Sequence, residues 1–361
     1  MTKLQQRPVP PICVVLALTL AGAVRAATPA VPLDPIRAIV DAFETHDVVA
    51  LGDGNHGNIQ INDLRIALLH DAQFQQRVQD IVVEFGNARS QDVIERYVRG
   101  EAVPESRLRQ VWEDTAQANP VWDVPVYAQF YRAVRDINAT LAPQRRLRVL
   151  LGDVPFDWSR VKTFADLDRQ PRRNDAFVAD LLSKEVLARR HRALLVYGEV
   201  HLLRRPATDG AQTIVSALEQ RGARIFSIYT NALVDIVPLQ DDIAQWPAPA
   251  LARISGTPLG AVPFTRYNPF SQQFTLAADG KRQQVPAPDP TLARPMEEQF
   301  DAVLYLGPPS TLRMSQPSAE LCRDKAYVTK RFFRMELVGM GALIGPAKQY
   351  CGAVAPGSMD N

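Results

Sequence analysis

The chain has 361 residues, 46% hydrophobic and 22% charged, so it can bury a sizeable core and wholesale disorder is excluded. It carries 41 Lys and Arg against 39 Asp and Glu. No long basic run is present, so no nucleic-acid partner is expected.

The first element is an export signal. Lys3 and Arg7 precede the apolar run Ile12–Val24, and Val24-Arg25-Ala26 supplies a small-x-small cleavage site. Residues 1–26 therefore read as a secretory signal peptide. The apolar run, at 13 residues, is too short to span a bilayer. Its removal leaves 335 residues with 38 basic and 39 acidic side chains, a net charge of −1. No other run is long enough to cross, so no stable membrane insertion is expected after cleavage. The expected location is periplasmic or secreted. Cys13 leaves with the signal, and the remaining pair, Cys322 and Cys351, is expected to form a disulfide.

Six short apolar runs read as buried parallel strands: Asp47–Gly52, Asp80–Gly86, Leu147–Gly152, Ala193–Gly198, Ala223–Ile228 and Asp301–Leu306. Helical patterns alternate with them at Pro35–Glu44, Asp63–Asp71, Gln91–Arg99, Val126–Leu141, Asp175–Arg190 and Ala211–Arg221. This alternation predicts an α/β fold with a mostly parallel central sheet flanked by helices. Between residues 240 and 290 Pro and Gly become frequent and periodicity fades, which predicts a loop-rich, irregular C-terminal elaboration. Residues 318–338 read as a C-terminal helix. One domain over residues 27–361 is expected.

Ligands of parallel α/β sheets bind beyond the carboxyl ends of the strands. The first strand is followed by Gly52-Asp53-Gly54-Asn55-His56-Gly57-Asn58, and the second carries Glu84 inside an apolar run. The third ends at Asp153, and the fourth is followed by Glu199 and His201. A buried carboxylate such as Glu84 needs a cation, a metal or a proton. Asp53 is placed to orient His56, and Arg65, nine residues on, to reach back along its helix. Asp153, Glu199 and Trp112 are assigned to substrate binding, although Trp112, Trp122 and Tyr127 also suit a core. His46, His70 and His191 read as solvated.

The chain has no G-x-S-x-G elbow, no Walker loop and no H-E-x-x-H. A hydrolase on this scaffold would therefore use water as nucleophile, with a carboxylate-held histidine as base and Arg65 facing the oxyanion.

These residues resemble the erythromycin esterase family, which opens with a strand, Gly-Glu-x-x-His-Gly and an Arg nine positions past the His. Here the pattern reads Gly52-Asp53-Gly54-Asn55-His56-Gly57, then Arg65, then Glu84-Phe85-Gly86. Val111–Thr115, Tyr131–Asn138, Leu151-Gly152-Asp153, Val196–His201 and Phe300–Val303 resemble later segments of that family. The likeness runs over about Val48–Leu306. It implies metal-free ester hydrolysis with Asp53, His56, Arg65, Glu84 and His201 in the catalytic roles. Two positions differ: the family's Glu is Asp53, and its His-Asn pair is Gly198-Glu199. The strand-end pattern also resembles the wider superfamily of ChaN-like haem-uptake proteins and Tiki-type metalloproteases. That resemblance implies two alternatives: a haem- or ligand-binding protein without turnover, and a metal-dependent hydrolase with His56, Glu84 and His201 as ligands. The partner expected in all three is a small molecule.

Overall fold

The structure is a computed structural model. It describes residues 28–171, 175–205, 212–230, 243–267, 273–276, 282–285 and 294–356. The expected signal peptide lies outside the described residues, as does part of the 240–290 elaboration.

The strands are β1 Val48–Gly52, β2 Asp80–Asn87, β3 Arg148–Asp153, β4 Ala193–Tyr197, β5 Ile225–Thr230, β6 Ala250–Arg253, β7 Gln273–Leu276, β8 Arg282–Val285 and β9 Ala302–Tyr305. Seven form one sheet in the order β3-β2-β4-β1-β5-β9-β6, while β7 and β8 pair separately. Every pairing in the large sheet is parallel except that of the edge strand β6 with β9. The fold is therefore α/β with a mostly parallel sheet, as the alternating runs predict.

The described helices are α1 Pro35–Ala42, α2 Ile59–His70, α3 Ala72–Arg77, α4 Gln91–Val98, α5 Glu105–Glu113, α6 Pro125–Thr140, α7 Phe164–Leu167, α8 Asp175–Glu185, α9 Ile214–Gln220, α10 Pro258–Ala261, α11 Phe264–Tyr267, α12 Ala319–Arg323, α13 Lys325–Leu337 and α14 Ile344–Val354. Helices cover both faces of the sheet, which is why its strands read as unbroken apolar runs. Val49 and Leu51 face a core built with α1 to α6, whereas Val48 and Ala50 face the core of α8 and α9. That two-residue alternation decides where the next side chain, Asp53, must point.

The C-terminal region differs from its sequence reading. The expected helix 318–338 is two helices, because Asp324 ends α12 and caps α13 by accepting from the Tyr327 N–H. A third helix, α14, follows, and Cys322 of α12 is disulfide-bonded to Cys351 of α14. The expected disulfide is therefore formed. The loop-rich region contributes an ordered sheet edge, β6, and two single-turn helices.

Of the three histidines read as solvated, only His70 is exposed. His46 packs on Phe226 and bonds the Ala42 carbonyl, and His191 pairs with the buried Asp80 at 2.8 Å.

Candidate active site

The centre of the sheet, β2-β4-β1, brings Glu84, Gly198 and Asp53 side by side at its carboxyl edge. Gly52 is in register with Tyr197, and the ladder continues one step as the Asp53 N–H donates to the Tyr197 carbonyl at 3.0 Å. Val83 is in register with Val196, which sets Glu84 on the other side of β4. Between Val83 and Asn87 the register of β2 against β3 shifts, four steps on β2 against two on β3. Such a bulge re-aims the side chains within it, and Glu84 is one of them.

The turn after β1 uses glycine where the backbone requires it. Gly54 and Gly57 have φ of 62° and 85°, a region that side-chain-bearing residues rarely occupy. Asn58 then starts α2 by accepting from the Ile61 N–H at 2.9 Å. His56 is thus held on a short turn fixed at both ends.

Asp53 is the hub. It is 2% exposed, and its Oδ2 lies 2.6 Å from His56 Nδ1. The same oxygen accepts from the Tyr127 hydroxyl at 3.3 Å, and that hydroxyl in turn accepts from the Gly57 N–H at 2.8 Å. Its other oxygen pairs with the Arg65 guanidinium. Arg65 arrives from α2 and Tyr127 from α6, the two helices on the face to which Asp53 points. Burial lowers Arg65 to about 10, which leaves it charged at neutral pH. Burial raises the Tyr127 phenol and keeps it neutral.

This arrangement corrects the role expected for Arg65. Its side chain is 1% exposed and spent on Asp53, so it stands behind the carboxylate and does not face a substrate oxyanion. A cation on the buried face of a helix needs a buried anion, and Asp53 is that anion.

Glu84, 2% exposed, accepts from the Gly198 N–H at 2.9 Å through Oε2. His201 follows Gly198 on a short 3-10 turn, and its Nδ1 lies 2.6 Å from Asp175 Oδ1. A second histidine–carboxylate pair therefore stands beside the first. Gly198 is where they meet. A Cβ built on it would lie 3.4 Å from Glu84 Oε2, 3.6 Å from His56 Cε1 and 3.7 Å from His201 Cδ2. The missing side chain leaves a small space ringed by a carboxylate and two imidazoles.

The other expected residues fall differently. Glu199 supports the turn from below, accepting from the Gly54 N–H at 2.7 Å, and burial raises its carboxyl. Asp153 is buried and accepts from the Ala116 N–H, tying down the segment after α5. Trp112 is core, stacked on Tyr131 at 5.9 Å. Trp122 is the tryptophan at the site, edge-on to His56 with ring centroids 4.5 Å apart. Neither Asp153 nor Trp112 lines the groove that borders His56. Among the described residues, no group of three or more His, Cys, Asp and Glu side chains, the ring around Gly198 included, is arranged so that it could hold a metal ion.

Asp175 is the residue that the strand-end reading missed. It lies 26 positions before His201, at the start of α8, and nothing local in the sequence links the two.

No protein-family model matches the chain, and no curated protein matches it by sequence. Solved structures do match in fold. A succinoglycan biosynthesis protein aligns over 80% of this chain and 96% of its own, with a TM-score of 0.54 and 9% identity. A Bacillus cereus protein aligns over 80% and 96%, with a TM-score of 0.51 and 12% identity. An erythromycin esterase mutant in its open conformation aligns over 78% and 94%, with a TM-score of 0.45 and 10% identity. The likeness is one of fold.

Proposed function

We propose that the protein is an exported hydrolase in which His56 activates water to cleave a carboxylic ester or lactone. The observation that carries this reading is the convergence of two histidine–aspartate pairs and Glu84 on the space over Gly198. Export is proposed from the N-terminal apolar segment together with the Cys322–Cys351 disulfide.

The chemistry follows from the pairing. When His56 Nδ1–H donates to Asp53, the other ring nitrogen is left as a base. Water held over Gly198 gives its proton to His56, and the oxygen attacks the ester carbonyl. The tetrahedral intermediate collapses with loss of the alkoxide, which takes the proton back from His56. Asp53 stabilises the imidazolium formed on the way, and Asp175 holds the His201 ring in place beside it. Buried Arg65 pairs with Asp53 from behind and balances its charge.

The test is hydrolysis of a panel of p-nitrophenyl esters and lactones by the purified protein, with and without chelator. Turnover that resists chelation and falls about 10²- to 10⁴-fold in His56→Ala is the expected result. Turnover abolished by chelation would move the chemistry to a bound metal, and none on any ester would end the hydrolase reading.

Gly198→Ala gives a finer check. Gly198 has φ −61° and ψ 141°, which alanine adopts freely, and the new methyl would make only ordinary contacts. Thermal stability should therefore hold. The methyl occupies the space proposed for the water, so kcat should drop by about 100-fold, the scale expected when reacting groups are misplaced by an ångström.

A further inference from the structure

His56 also borders a second space, whose lining does not include Gly198. A groove of about 510 Å³ starts at the His56 ring and runs between the loop 119–124 and the C-terminal helices. Its walls are mainly apolar: Val121 and Val124 on one side, Leu321, Phe332, Met335 and Ala347 on the other. Its volume lies within the range of small-molecule sites.

The groove is tied to the reactive turn. The Ile59 N–H donates to the Arg313 carbonyl at 2.9 Å, and the Ser315 N–H donates to the Gly57 carbonyl at 2.8 Å. Residues 313–315 thus run alongside the turn that carries His56. The Cys322–Cys351 bond, itself part of the lining, fastens α12 to α14.

The charge balance excludes an anionic guest. The one Arg in the lining, Arg331, is 2% exposed and is neutralised by Asp123 at 2.5 Å. It also donates to the carbonyls of Glu113, Gln117, Ala118 and Asn119. Apart from His56, no cationic side chain in the described lining is left to bind a carboxylate or phosphate. A larger cleft of about 660 Å³, bordered by Arg89, Lys162 and Arg334, is polar and contains neither His56 nor Glu84.

We propose that the groove holds a neutral aliphatic chain, the apolar arm of an ester whose carbonyl sits over Gly198. This rests on the hydrolase reading above and names its substrate class: esters with a medium-length alkyl or acyl chain.

Two measurements test it together. The first is kcat/KM for p-nitrophenyl esters from acetate to dodecanoate. Full burial of each methylene is worth about a fourfold gain, so decanoate should exceed acetate by about 100-fold or more. The second needs no turnover: Nile red fluorescence on the protein, displaced by 1-decanol. Ala347→Trp fills the groove from the partly exposed face of α14 and should cut the decanoate-to-acetate ratio at least about tenfold and weaken displacement. A thermal melt of the same variant establishes that it is folded.

A rising chain-length profile, flattened in Ala347→Trp, with decanol binding retained in His56→Ala, is the expected result. Ester turnover with a flat profile and no displacement would overturn the groove and leave the hydrolase standing. Decanol displacement sensitive to Ala347→Trp, without turnover of any ester, would do the reverse. Displacement that Ala347→Trp does not change would place the chain elsewhere and also overturn the proposal.

Discussion

Asp53→Asn should lower ester turnover by about 10³- to 10⁴-fold while leaving His56 in place. Removing the aspartate of a histidine–aspartate pair has an effect of that order because an amide can hold the ring in the wrong tautomer. Here the amide would face His56 Nδ1 at a 2.6 Å contact and could offer an N–H where an acceptor is required. The same change has a second cost. Arg65 is fully buried and still charged at neutral pH, with its pKa lowered to about 10. Without its anion, an uncompensated cation remains in the core, a loss of about 3–5 kcal/mol. His56→Ala separates the two effects. His56 is 30% exposed, and without it Asp53 keeps Arg65 and Tyr127 as partners, so activity should fall by about the 10²- to 10⁴-fold given above with little change in the melting temperature. Asp53→Asn should lower both. Steady-state kinetics beside thermal melts of the two variants decide it, and equal melting temperatures would show that Arg65 does not depend on Asp53.

Arg331→Met should destabilise the protein by about 3–5 kcal/mol, the usual cost of leaving one partner of a buried ion pair alone. Arg331 joins α13 to Asp123 and to four backbone carbonyls of the segment 113–119. Asp123 would keep the Tyr327 hydroxyl as a partner, which offsets only part of the loss. Methionine has a similar reach, so packing is largely retained. For a chain of this size the loss corresponds to a fall of roughly 4–7 °C in melting temperature. Hydrogen exchange should show where it falls: amides of α12 to α14 lose protection first, while β1 and β4 keep theirs. Urea unfolding within about 1 kcal/mol of the unsubstituted protein would mean that the carbonyl contacts contribute little net stability.

The parallel sheet was legible because its strands are buried on both faces, which leaves runs such as Asp80–Gly86 almost free of polar residues. Glu84 stands out in that run, and the Gly-rich turn around His56 marks itself by composition. The edge strand β6 escaped for the opposite reason. It has only four residues, Ala250-Leu251-Ala252-Arg253, and beyond its ladder with β9 it makes only the single bridge of Leu251 to Leu33. The break between α12 and α13 had a local sign, Asp324 in a helix-capping position, that the apolar pattern alone overrode. Asp175 had no such sign, since its pairing with His201 exists only once α8 packs on the sheet. Choosing Trp122 over Trp112 likewise needed the fold: Trp112 lies inside α5 and turns into the core, while Trp122 lies in a loop that the topology carries back to His56. The fate of Arg65 was readable in part. It lies among Ile61, Leu64 and Leu68 on the buried face of α2, and a charge there calls for a buried partner.

The order of the chain divides two properties that natural selection can change separately. Asp53, His56, Glu84, Asp175 and His201, the groups placed around Gly198 above, all come before Leu202, and the sheet that holds them is complete at β9. The outer wall of the groove comes afterwards, from the last three helices. Drift in that final stretch alters what fits beside His56 without disturbing what happens at it, as expected when a site is grafted on an older scaffold. The exception is Arg331, which binds the wall to the loop 113–119. Descendants of this chain could rewrite Leu321, Phe332 or Ala347 freely, but Arg331 and Asp123 would have to be inherited together.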